Sequence, residues 1–405
     1  MAQRIRPPAF RAPSPSRCRL LVPNPTGRRS AVHRLRLRPE HPWLKPRSSG
    51  EESAEQYNLL SMARVLILGA GASRFAGYPL GLELWAFIRD TGTGERMAKE
   101  RAEAVIDAIE RVLQVLPPRE FDRPDLEQLF TLLDLAEAGT EPLKLAKIDW
   151  PSLRPKLMGM IANAFQWHQY QLQVRLREKG DPVEVVLDAW ASRLRARDTI
   201  VTFNWDLLHE AALFRRGKWH YSDGYGFACG DAPSGYRSGL KVLKLHGSVN
   251  WGQRDEQDCN PAIEHKADFF LGAQDDHSVY LRGAGQWNEG RYMIIPSYLK
   301  DLSSNRLLLN LWNQAFDALS AAERVTVVGF QLHPADALAR QLLGCALTRN
   351  PNSFALQVVS PAGGVDHWAT FCDGIGRRLE RIRMTFEDWV LEDGEAALTT
   401  PIPQE

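Results

Sequence analysis

Three short segments hold the residue types that could cradle a phosphate or move a proton: Gly69-Ala70-Gly71-Ala72-Ser73, Thr202-Phe203-Asn204-Trp205-Asp206 and Leu245-His246-Gly247-Ser248-Val249-Asn250-Trp251. In the first, glycines leave backbone N–H groups open to the close approach of a pyrophosphate, and Ser73 adds a hydroxyl. In the second, the Asn204 amide can hydrogen-bond a ribose hydroxyl, a carboxamide or an attacking water. In the third, an imidazole such as His246, with its ordinary pKa near neutrality, can take a proton from a hydroxyl. Each segment also has a plainer reading. The glycines could serve only tight strand-to-helix packing, Asn204-Trp205-Asp206 could be a helix cap with an aromatic anchor, and His246 could be a buried imidazole at a strand end.

Several chemistries are disfavoured at once. A dehydrogenase fingerprint wants Gly or Ala at position 74, where Arg74 stands, and an acidic residue about twenty positions on at the end of a second strand, where the pattern here is helical. No Gly-Lys-Ser/Thr follows the glycines, so a Walker loop is excluded. The five cysteines, Cys18, Cys229, Cys259, Cys345 and Cys372, form no C-x-x-C pair, which argues against a disulfide framework and a zinc ribbon and for free thiols in a reducing compartment.

The elements that must position these segments are short apolar runs. Arg64–Leu68 has the composition of a strand buried on both faces, and the glycines follow it directly. Further strands are expected at 198–203, 240–245, 293–295, 324–328 and 354–359, each ending in a polar or glycine-containing turn. Between the first strand and the second lies a long helical insertion, about 80–195, with helices expected at 80–115, 125–137, 153–179 and 182–195. Strands separated by helical segments indicate an α/β fold with an open, Rossmann-like parallel sheet whose ligand crevice lies at the strands' C-terminal ends. Trp150, Trp167, Trp190 and Trp312 are expected in the core.

Residues 1–61 hold 12 Lys/Arg against 4 Asp/Glu and are rich in Pro and Ser, so the net charge of +1 hides a negative body. That composition predicts a disordered basic leader. It suits a transit peptide, a nucleic-acid-binding arm, or a stretch upstream of a true start at Met62. The folded part lacks the basic surface that would grip nucleic acid. No window reaches the run of about 18 apolar residues that a membrane-spanning helix needs, which predicts a cytoplasmic protein.

The order of the three motifs resembles the sirtuin superfamily, whose members carry GAGxS, a TQN-x-D segment and an LHG segment in this sequence order. Gly69 to Ser73, Thr202 to Asp206 and Leu245 to Gly247 match, with Phe203 in place of the usual Gln. The stretch Val328 to Asp336 is similar to the loop that the divergent sirtuin-like branch writes as G-Y-S-L-x-x-x-D, and the strand running into Ser360-Pro361 stands where sirtuins contact the adenosine. The resemblance spans about residues 62–365, leaving 366–405 as a C-terminal extension with a helix and a short amphipathic strand. It implies NAD as substrate, held by Gly69, Ala70, Gly71, Ser73, Thr202, Gly329, Asp336 and Ser360. It also implies Asn204, His246 and Asp206 as the catalytic residues, with no metal.

Two departures point to a branch. Deacylases of the superfamily insert a four-cysteine zinc module after the LHG segment, whereas residues 252–292 contain only Cys259. The helical insertion, and Gly77-Tyr78-Pro79-Leu80 in place of the deacylase G-I-P-D-F-R, look like the sirtuin-like NAD hydrolases of prokaryotic antiphage defence. That resemblance implies cleavage of the nicotinamide glycosidic bond under some gate, by homo-oligomerisation or through a separate sensor or ATPase protein. A deacylase that has dispensed with zinc, and a non-catalytic subunit that binds NAD or ADP-ribose, remain the competing readings.

Overall fold

Arg64-Val65-Leu66-Ile67-Leu68 shows no polar alternation because both its faces are covered: as β1 (Arg64–Leu68) it is buried at every position. The computed structural model describes residues 63–92, 103–110, 130–131, 134, 150–176, 180–227, 238–251, 293, 306–333, 336–361 and 366–393. The basic leader therefore lies outside the described residues, as do most of the expected helix at 125–137 and residues 252–292.

Five more strands join β1: β2 (Thr199–Thr202), β3 (Lys241–Lys244), β4 (Arg324–Val328), β5 (Leu356–Val359) and β6 (Leu379–Ile382). All pairings are parallel, and the order is β3-β2-β1-β4-β5-β6. This is an open, Rossmann-like α/β sheet. The strand order runs one way from β1 to β3 and the other way from β4 to β6, so the switch point at which open parallel sheets form their ligand crevice lies at the C-terminal ends of β1 and β4.

Among the helices packed around the sheet are α1 (Leu84–Gly92), α2 (Trp150–Arg175), α3 (Pro182–Arg193), α4 (Leu208–Arg215), α5 (Arg306–Ala321), α6 (Ala337–Arg349) and α7 (Asp366–Ile375). The start of α3 is fixed locally, because Asp181 accepts a hydrogen bond from Val183 N at 2.8 Å and Pro182 takes the first turn. At the opposite end of the sheet from the crevice, Arg64 grips the buried Asp198 with Nε at 2.9 Å and Nη2 at 2.5 Å, joining the starts of β1 and β2. No helix among the described residues is long and apolar enough to cross a membrane.

Met293 makes an antiparallel bridge to Gly247, and the rest of the strand expected at 293–295 lies outside the described residues. The short amphipathic strand expected in the C-terminal segment is the sixth strand of the sheet. There β6 pairs with β5 from Leu356↔Leu379 to Val359↔Ile382. The chain after β6 then returns to the core, where Phe386 and Trp389 are buried against Trp190 of α3.

Candidate active site

The chain leaves β1 at Gly69 and enters a 3-10 turn, Ala70–Ala76, closed by Gly77 in the left-handed region at φ 89°. Gly69 N donates to Val328 O and Gly71 N to Gly329 O, both at 3.0 Å, while Gly329 N donates to Val359 O at 3.1 Å. A Cβ on Gly69 would lie 2.6 Å from Gly329 O, and one on Gly71 would lie 2.7 Å from Gly329 Cα. These glycines therefore let two loops touch backbone to backbone. The Gly69 and Gly71 amides are thus turned toward the carbonyls of Val328 and Gly329 at the end of β4. Ala70, half-buried at the first position of the turn, keeps an N–H with no acceptor within the helix.

At the end of β2, Thr202 Oγ1 donates to Leu68 O at 3.1 Å and accepts from Asn204 N at 3.1 Å. Asn204 Nδ2 donates to Gly69 O at 3.0 Å and to Ser73 Oγ at 3.2 Å. Ser73 Oγ passes its own proton toward Asp206 Oδ2 at 3.0 Å. The other Asp206 oxygen accepts from Leu208 N at 3.0 Å, where α4 begins. A directional chain results, from Asn204 through Ser73 to the buried carboxylate of Asp206. Because Gly69 O can only accept, the amide orientation is fixed: both Nδ2 hydrogens point inward, and Oδ1 is what half-buried Asn204 can offer a ligand. Asp206, buried at 4% exposure with both oxygens bonded inward, holds this loop in place.

β3 delivers His246 beside it. Thr202 and Lys244 are register partners, so Asn204 and His246 each stand two residues beyond paired positions at adjacent strand ends. The His246 loop is fixed by Trp312 Nε1 donating to Leu245 O at 2.9 Å, by Trp205 Nε1 donating to His246 O at 3.2 Å, and by Gly247 at φ 74°. Its ring meets the edge of Phe203 at 5.1 Å, and Phe203 stacks on Phe330 at 4.5 Å. Phe203 thus makes an apolar bridge between the β2 and β4 loops.

The structure therefore brings together Gly69, Ser73, Thr202, Asn204, Asp206 and Gly329, with Ala70 in the same turn and His246 alongside. Asp336 and Ser360 belong to the other half of the crevice. Asp336 precedes α6, with its N–H on His333 O at 2.9 Å, and Ser360 follows β5, with its N–H on Ile382 O at 3.1 Å. Among the described residues no group of three His, Cys, Asp or Glu side chains could hold a metal ion.

Sequence reasoning missed a buried charged group beneath the loops. Lys244 Nζ donates to Asp206 O at 2.5 Å and to Glu210 Oε1 at 2.6 Å, with Lys244 0% and Glu210 2% exposed. Burial pushes the Glu210 carboxyl up, opposed by the Lys244 charge. Burial lowers the neighbouring His209 imidazole to about 4, with the Asp206 charge pulling the other way. The available signal was Lys244 itself, a lysine in a strand covered on both faces, which must find a partner.

Among solved structures the chain is similar to a triple mutant of a Sir2 homologue in complex with 2'-O-acetyl ADP ribose, at 14% identity and TM-score 0.40 over 87% of this chain and 99% of that one. It is also similar to a Sir2 in complex with an inhibitor, 2'-O-acetyl-ADP-ribose and a deacetylated p53 peptide, at 15% identity and TM-score 0.35 over 85% and 99%. A third is a Sir2 homologue mutant in complex with ADP ribose, at 13% identity and TM-score 0.35 over 87% and 100%. No protein-family model and no curated protein matches the chain. The Rossmann-like fold stands on the strand pairing itself, and the site on its own hydrogen bonds.

Proposed function

We propose that this chain is a sirtuin-like NAD hydrolase that cleaves the bond between nicotinamide and ribose with water, giving nicotinamide, an ADP-ribose product and a proton. The observation that carries this reading is the direction of the Asn204 carboxamide, whose hydrogens are tied to Gly69 O and Ser73 Oγ so that its negative end is left for a ligand. Positive charge grows on the ribose as nicotinamide leaves. A dipole already aimed with its negative end outward stabilises that charge more than it stabilises bound substrate, and it need not reorganise. Asn204 Oδ1 also accepts from a ribose hydroxyl or the attacking water. His246, at the neighbouring strand end, takes the proton.

The pyrophosphate rests at the Ala70–Ser73 turn, with Gly329 and Asp336 on the far side and Ser360 toward the adenosine. Asp206 acts through Ser73 and is a positioning residue. Unrestrained cleavage would drain a cell of NAD, so the enzyme works as a gated effector in defence, with the gate supplied by self-association or by a separate sensor or ATPase protein. The test is nicotinamide release from NAD by the purified chain. Asn204→Ala should lower turnover by about 10²- to 10³-fold, the usual cost of one preorganised electrostatic group. Turnover that survives this substitution would remove Asn204 from the chemistry.

A further inference from the structure

We infer that Lys244 is a positioning residue for this reaction, a buried cation that clamps the loop presenting Asn204; the inference rests on the reading of Asn204 given above. Lys244 sits in β3 two residues before His246, and its side chain is enclosed instead of reaching for water. Its ammonium donates to the main-chain carbonyl of Asp206, two residues beyond Asn204, and to Glu210 on α4. Asp206 is thereby held at both ends. Its carbonyl is bound to β3 through Lys244, and its carboxylate is bound to Ser73 and so to the Asn204 amide. One cation thus sets the strand that bears His246 against the loop that bears Asn204.

Stability alone gives little reason for the arrangement. A buried ion pair is often replaced by apolar side chains of similar volume with no loss of stability, whereas removal of one partner leaves an uncompensated charge. What the apolar pair cannot do is hold the Asp206 carbonyl.

The test uses the full chain carrying Lys244→Met together with Glu210→Leu, which removes both charges at once. The expected result is a melting temperature lowered only by the cost of the unpaired Asp206 carbonyl, a fall in kcat for nicotinamide release of about 10- to 100-fold, the scale of a small misplacement at a reacting centre, and a smaller change in KM for NAD. A second readout needs no ligand. In protein labelled with 15N-asparagine, the Asn204 side-chain amide protons should exchange slowly with solvent in the wild type and faster in the double variant. Should that variant not fold, Lys244→Gln with Glu210→Gln, a neutral hydrogen-bonding pair, is read in the same two ways. Wild-type kcat together with wild-type exchange at Asn204 would overturn the assignment. If NAD is neither cleaved by the wild type nor able to raise its melting temperature, the hydrolase reading fails on its own, and exchange at Asn204 still decides the role of Lys244.

Discussion

Substituting Gly329 by Ala places one methyl group at the tightest contact of the site. Gly329 has φ 63°, and a Cβ there would lie 2.3 Å from Ala72 N, 2.5 Å from Gly71 C and 2.6 Å from Gly71 Cα. All three atoms are backbone, so no side chain can swing away. The left-handed conformation costs a non-glycine residue about 1–2 kcal/mol, and forced overpacking adds about 1–3 kcal/mol. The sum, about 2–5 kcal/mol, corresponds to a fall in Tm of about 4–20 °C, taking roughly 2–4 °C per kcal/mol for a large domain. The assay is thermal and urea unfolding beside Gly159→Ala, a control in α2 where an added Cβ meets nothing within 4 Å. That control should stabilise by about 0.5–1 kcal/mol, the propensity difference between Ala and Gly in a helix. A Gly329→Ala protein that melts with the wild type would refute the claim that the β1 and β4 loops are packed backbone to backbone.

Other consequences follow from the hydrogen-bond chain and the buried ionisable groups. Ser73→Ala leaves one Asn204 hydrogen and one Asp206 oxygen unmatched, so it should cost about 1–3 kcal/mol in urea unfolding and lower nicotinamide release as well. His209 should make the fold acid-sensitive. Its folded value of about 4 lies below the ordinary 6.5, so the unfolded chain binds the proton first, and stability is lost as pH falls from about 6.5 toward 4. Between pH 7.5 and 5 that loss is about 2 kcal/mol. Glu210, whose folded value is raised, has the opposite slope and reduces the net effect. Urea midpoints of His209→Leu should therefore vary less with pH over this range than those of the wild type, and an unchanged pH dependence would count against the burial account.

The framework of the sheet could be read from the sequence because buried parallel strands are apolar runs. Arg64–Leu68, 198–203, 240–245, 324–328 and 354–359 each contain the strand found there. Leu379–Ile382 is an edge strand with two exposed residues, and so carries an amphipathic pattern instead of an apolar run. The run at 293–295 was equally apolar, yet Met293 is placed only by a bridge to Gly247. At the site, residue types near strand ends could be recognised, but their partners could not. The glycines at 69 and 71 look alike whether they meet a phosphate or a backbone, and only the approach of Gly329, some 260 residues away in sequence, distinguishes the two. Lys244, Glu210 and His209 were passed over for the same reason, because a buried charge is defined by its surroundings.

The most direct test of the central claim is nicotinamide release when the full chain is given NAD alone, with Asn204→Ala and His246→Ala run beside it. The account predicts release by the wild type that both substitutions abolish, while NAD still raises the melting temperature of each variant by mass action. NAD that is neither cleaved by the wild type nor able to raise its melting temperature would contradict it.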